Sequence, residues 1–264
     1  MIRWIQVKDA SLRYEVTGTG DAVLVLLHEM GGTLESWDLL LPALAPGRRI
    51  LRFDWRGAGA SSKIRGTADL GEMADDLRAL LDLLGLTAPV AIAGCAVGGA
   101  IAMRFAARYS TRTKALIAMS PATGVAAERK AATLDRARLA EEQGMHPGID
   151  ALFDATWPVA LRDDEQRFSS FRAKWLSNDP YSFAAINRML AGLDMTQDVA
   201  AIACPSLFMA GCFDQFRPPA MIRALAGTVK GSTFVELRTG HFMALQTPEL
   251  VAEQMLPFLR QNGT

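Results

Sequence analysis

The sequence lacks an excess of either charge: 28 Lys and Arg stand against 28 Asp and Glu over 264 residues. Without a net field, the electrostatic footprint of a nucleic-acid binder or of a chain held on an anionic membrane is missing, which leaves a small molecule as the expected partner. Long hydrophobic runs are missing too. The apolar stretch Ala22–Leu27 falls far below the roughly 20 residues that span a bilayer, and Met1–Ile5 opens no signal-type apolar region. Cysteine is scarce and odd in number, and Cys95, Cys204 and Cys212 sit outside any metal-ligand spacing. Neither a disulfide framework nor a metal site is expected from them. The run Asp163-Asp164-Glu165 reads as a solvated helix start rather than a metal cluster. The expectation is a cytoplasmic protein with free thiols, no cofactor and no metal, acting as a monomer or homodimer. No repeat, low-complexity tract or linker divides the chain, and its length suits one domain with a substantial core.

What is present is alternation. Ile2–Val7 and Leu12–Val16 read as strands around a turn, and Ala22–Leu27 as a fully buried strand. An amphipathic stretch over Leu34–Leu44 precedes a strand at Ile50–Phe53, a helix near Leu70–Leu84, a strand at Val90–Ala93, a helix over Gly98–Arg108 and a strand at Ala115–Met119. Late strands at Ser206–Ala210 and Thr233–Leu237 are each followed by helical sequence. Strand and helix in turn predict an α/β fold, a mostly parallel twisted sheet flanked by helices. Between Pro121 and Thr196 the strand signal disappears and helical spacing takes over. Residues 124–196 are therefore expected to form an inserted helical cap, with 1–123 and 197–264 as the core. Within that insert, Asp179 followed by Pro180 is a helix start.

The absence with the greatest chemical consequence lies in Ala93-Gly94-Cys95-Ala96-Val97-Gly98-Gly99. A strand that turns sharply into a helix lifts one side chain to the sheet edge and needs small residues two places to either side, the Gly-x-nucleophile-x-Gly elbow. Gly94 and Gly98 frame Ala96, which has no attacking atom. Centring the turn on Cys95 would put the β-branched Val97 at a position that needs a small residue, so Cys95 is not the nucleophile.

Three other segments follow strands in the same way: Leu27-His28-Glu29-Met30-Gly31-Gly32, Asp54-Trp55-Arg56-Gly57, and the pair formed by Gly211-Cys212-Phe213-Asp214 and Gly240-His241. In this order the chain resembles the α/β-hydrolase family over essentially its whole length. Its stretch from Asn178-Asp179-Pro180 through Asp194 to Gly211 is most similar to the branch of 3-oxoadipate enol-lactonases and carbon-carbon bond hydrolases of aromatic degradation. The resemblance implies His241 as general base, Asp214 as the residue that orients it, and the amides of Met30 and Val97 as an oxyanion hole. Ala96 occupies the nucleophile position. Glu29 departs from the glycine that usually follows the loop histidine, and a carboxylate there would oppose an oxyanion unless turned away or protonated, so Glu29 is also weighed as a substrate-side acid or base.

On the cap, Phe168, Phe171, Arg172 and Trp175 fall at i, i+3, i+4 and i+7, an aromatic helix face with one guanidinium. Arg172 and Trp175 are thus expected to contact a small carboxylate-bearing substrate, with Asn187 and Arg188 as weaker candidates. Three functions remain open. The first is a hydrolase of a small ester, lactone, amide or carbon-carbon bond, silenced by replacement of its nucleophile with Ala96. The second is a native alanine-elbow enzyme, such as the resemblance includes among aminoacrylate hydrolases, in which His241 and Asp214 activate water directly or move a proton in a lyase or decarboxylase step. The third is a non-catalytic binder on a hydrolase scaffold, for which a His-Asp pair would have no use.

Overall fold

The computed structural model describes residues 1–264. Eight strands, β1 (Arg3–Val7), β2 (Ala10–Thr17), β3 (Ala22–Leu27), β4 (Arg48–Phe53), β5 (Val90–Cys95), β6 (Thr113–Met119), β7 (Ser206–Gly211) and β8 (Thr233–Leu237), form one sheet in the order β1-β2-β4-β3-β5-β6-β7-β8. Only β1-β2 and β2-β4 pair antiparallel; every later pair is parallel. The run Ala22–Leu27 has no polar alternation because both of its faces are covered: Val23, Val25 and Leu27 enter one core layer while Leu24 and Leu26 enter the other.

Eleven α-helices complete the chain. They are α1 (Leu41–Leu44), α2 (Leu70–Leu83), α3 (Val97–Arg108), α4 (Ala127–Gln143), α5 (Ile149–Thr156), α6 (Glu165–Leu176), α7 (Pro180–Gly192), α8 (Thr196–Ala201), α9 (Pro219–Gly227), α10 (Met243–Gln246) and α11 (Pro248–Gln261). The Leu34–Leu44 stretch is not one helix. It winds as a 3-10 segment over Leu34–Leu40 before α1, because Pro42 has no amide to continue an α pattern back to Asp38. Asp164 and Asp179 cap α6 and α7 through hydrogen bonds from the amides of Arg167 and Ser182, each 2.8 Å long. No helix is long and apolar enough to cross a membrane.

Helices α4 to α7 all fall between β6 and β7 and carry a core of their own, in which Phe153, Trp157, Phe171, Trp175 and Phe183 pack together with Phe242 from the loop before α10. Trp175 reaches the β3 loop so closely that a Cβ on Gly31 would stand 2.0 Å from its ring. Asn178 donates to the carbonyl of Gly31 at 3.0 Å. These contacts set the helical insert over the ends of β3 and β5, where the chemistry-bearing loops emerge.

Candidate active site

The elbow is built as its sequence dictates. Ala96 stands between β5 and α3 at φ 51°, a left-handed backbone conformation that a residue with a Cβ adopts only when its surroundings impose it. The imposition comes from close approach on both sides. A Cβ on Gly98 would meet the carbonyl oxygens of Leu27 at 2.3 Å and His28 at 2.4 Å, and one on Gly94 would meet the Gly98 carbonyl at 2.2 Å. Backbone atoms cannot step aside as a flexible side chain can. Gly98→Ala is therefore expected to cost about 2–3 kcal/mol of stability by denaturant unfolding, a larger loss than an ordinary surface change; wild-type stability in that variant would show that the elbow is not so tightly packed.

Asp214 follows β7 and His241 follows β8. The Nδ1 of His241 lies 2.7 Å from Oδ2 of Asp214, both residues being buried. The other carboxylate oxygen accepts from the amides of Phe216 at 2.8 Å and Arg217 at 2.9 Å, so the aspartate is fixed at both ends. Burial pushes the Asp214 carboxyl up, but the His241 charge and hydrogen bond and the Arg217 amide outweigh it and hold the group below its ordinary value. It is a carboxylate at neutral pH, suited to orienting the imidazole and stabilising its protonated form. Cys95 braces the same loop by donating from its Sγ to the His241 carbonyl at 3.3 Å, and burial raises its thiol well above the usual range, so it is an unreactive filler.

A cavity of about 250 Å³ lies between the elbow and the helical insert, lined by Ala96, Val97, Met30, His241, Trp175 and Asn187 among others. Five residues singled out by sequence for roles at this site, Ala96, Val97, Met30, His241 and Trp175, meet in it. Two do not. Glu29 is buried but turned away: Ser36 donates to its Oε1 at 2.7 Å, and Gly32 closes so tightly over that oxygen that a Cβ would stand 2.0 Å from it. The carboxylate does not line the cavity, so it does not meet substrate there. Arg172 is the second correction. Its guanidinium pairs with Asp150 at 3.1 Å on the outside of the insert. Phe171 and Trp175 turn inward, and Arg172, on the flank of that face, is captured by a neighbouring carboxylate on α5. Arg188 likewise pairs with Glu141, away from the cavity.

Asn187 was only weakly legible. It is fully buried, its Nδ2 donates to the Phe183 carbonyl at 2.9 Å, and its Oδ1 has no protein partner. The lining also holds three arginines, Arg129, Arg136 and Arg217, that sequence reasoning missed. His28 braces its loop, with Nδ1 2.7 Å from the Glu29 carbonyl and its ring stacked on Trp55. Arg56 is held by Asp9 and Asp76, and Asp54 by the amides of Leu34 and Ala60.

A sheet of this order, an elbow between β5 and α3, and a His-Asp pair carried by the loops after β8 and β7 define an enzyme of the hydrolase class. A family model described as the alpha/beta hydrolase fold matches residues 22–248, and the chain belongs to that family. Among its relatives is a 2-hydroxy-6-oxononadienedioate/2-hydroxy-6-oxononatrienedioate hydrolase of Pseudomonas putida, 29% identical over 96% of this chain and 92% of the other. The 3-oxoadipate enol-lactonase 2 of Acinetobacter baylyi is 24% identical over 93% and 91%. Of solved structures, a thermophilic esterase from Thermogutta terrifontis with malate bound superposes with a TM-score of 0.92 at 29% identity, all of both chains being covered.

Proposed function

We propose that the protein hydrolyses a small carboxylate-bearing ester, lactone, amide or carbon-carbon bond without a covalent enzyme intermediate. The observation that carries this reading is an ordered His241-Asp214 pair at 2.7 Å facing a cavity in which Ala96 supplies no attacking atom. In this scheme water attacks: its proton passes to Nε2 of His241, its oxygen bonds to the substrate carbonyl carbon, and the amides of Met30 and Val97 hold the resulting oxyanion. Collapse of that intermediate breaks the bond to the leaving group, which takes the proton from His241. Asp214 keeps the imidazole in the required tautomer and stabilises its charge in between. The names of the two hydrolytic relatives, each of an oxo- or hydroxy-acid or its lactone, support a substrate bearing carboxylate.

Intact-mass spectrometry of protein quenched while it turns over carboxylate-bearing esters and lactones tests the scheme. Turnover with no mass increment is expected, and an acyl adduct on any residue would overturn it. A second reading has its own observation, the left-handed conformation retained at Ala96 with both flanking glycines in close contact. That geometry suits a serine hydrolase silenced at one atom.

A further inference from the structure

Helix α4 is charged on most of its surface; exposed Glu128 in its first turn borders the cavity, and one narrow stripe, Arg129, Thr133 and Arg136, faces it. These positions are i, i+4 and i+7 and fall within about 60° of one another around the helix. Arg217, from the loop that fixes Asp214, enters the same space from the other side. Two of the three arginines converge on Phe216. The Cζ of Arg129 lies 4.8 Å and that of Arg136 5.8 Å from its ring centroid, and Arg217 is anchored by a hydrogen bond from Nη2 to the Gly124 carbonyl at 2.7 Å.

None of the three forms a salt bridge, whereas Arg172 and Arg188 on the outside of the same insert each find a carboxylate. Glu128 is the one acidic residue in the lining and is exposed. Burial holds the guanidiniums of Arg136 and Arg217 below their ordinary value, and the charge of Arg129 pushes both the same way, against a pull from Asp214 at Arg217. Unpaired cations gathered in one cavity repel each other and lose hydration, and an anion placed among them relieves both costs.

We propose that Arg129, Arg136 and Arg217 form an anion subsite that selects a substrate carrying two carboxylates, a conclusion that rests on the reading of this cavity as the substrate site. Two carboxylates fit better than one phosphate. Arg129 and Arg136 leave α4 two helical turns apart but bring their guanidiniums to the same Phe216 ring, and Arg217 enters from the loop after β7, so three cations without a salt bridge stand against one exposed carboxylate, Glu128, and call for more than one negative charge. Each guanidinium presents a planar fork matched to a carboxylate. One end of the diacid then lies against α4 and Phe216, and the bond to be broken lies over Ala96 and His241.

Calorimetric titration of the full chain tests this without requiring turnover. The probes are four- to six-carbon dicarboxylates, the monocarboxylates of the same lengths, and inorganic phosphate. A dicarboxylate is expected to bind at least roughly ten-fold more tightly than its matched monocarboxylate. Arg136→Gln and, separately, the exposed Arg129→Gln should each weaken it by about ten-fold or more while changing the monocarboxylate much less. Arg172→Gln, outside the cavity, should leave both unchanged. Equal affinities for one and two carboxylates, or Arg136 and Arg129 variants that match wild type, would overturn the subsite; phosphate binding more tightly than any diacid would overturn the choice of dicarboxylate. Failure of the hydrolytic scheme is read elsewhere, in turnover of His241 variants, and leaves these titrations as they are.

Discussion

Ala96→Ser is expected to raise turnover of small activated esters by orders of magnitude, with a ceiling near a million-fold. That ceiling is what removal of a serine from a comparable triad costs, about 8 kcal/mol of barrier. The gain is expected because everything except one oxygen is already positioned. The backbone at residue 96 holds φ 51°, the orientation that presents a side chain at the sheet edge, and the methyl group already lines the cavity with His241. Replacing one hydrogen of that methyl with a hydroxyl needs no backbone movement. His241 is oriented by Asp214 at 2.7 Å, and the amides of Met30 and Val97 need no side chain to serve as donors. A burst of product followed by slower turnover, with an acyl increment on the introduced serine by mass, would mark the covalent route. Rates equal to background in both proteins across esters and lactones would show that the elbow is a relic of shape without latent chemistry.

The parts of this site that sequence made legible share one property: their constraint is local. The elbow announces itself because Gly94 and Gly98 have no room for a Cβ against neighbouring backbone, and His241 and Asp214 because each closely follows a strand whose apolar run is plain. The fully buried strands were legible for a related reason, since a segment covered on both faces cannot carry polar residues. The arginine subsite was not legible. Its helix, α4, reads as AERKAATLDRARLAEEQ, a polar surface pattern in which Arg129 and Arg136 resemble any solvated charge. Whether a guanidinium is free or paired is decided by what stands across from it. Asp150 claims Arg172 and Glu141 claims Arg188, while Arg129 and Arg136 meet only the Phe216 ring and no carboxylate. The same holds for Glu29, whose direction depends on Ser36 seven residues away and on the closeness of Gly32. Helix periodicity identified a face on α6 correctly and assigned its cation to the wrong task.

The double-mutant cycle at positions 96 and 241 separates the two accounts of Ala96. If His241 activates water directly, His241→Ala in the Ala96 protein should lower turnover by about 10²- to 10⁴-fold, the usual contribution of a positioned general base. The same substitution in the Ala96→Ser protein should remove nearly all that the serine added, a loss that can approach 10⁶-fold, because nucleophile and base act as a unit and their effects do not add. In a silenced hydrolase the first of these losses vanishes. His241→Ala would then leave the Ala96 protein at its background rate and matter only once the serine is present. Folding must be held fixed for the comparison, and His241 offers a check on that: its amide donates to the Thr156 carbonyl at 2.9 Å and its carbonyl accepts from Cys95, contacts that the alanine variant retains. A large His241 effect in the Ala96 background, with unchanged unfolding midpoints, would establish water as the attacking group. Its absence would assign the His-Asp pair to a serine that this chain does not carry.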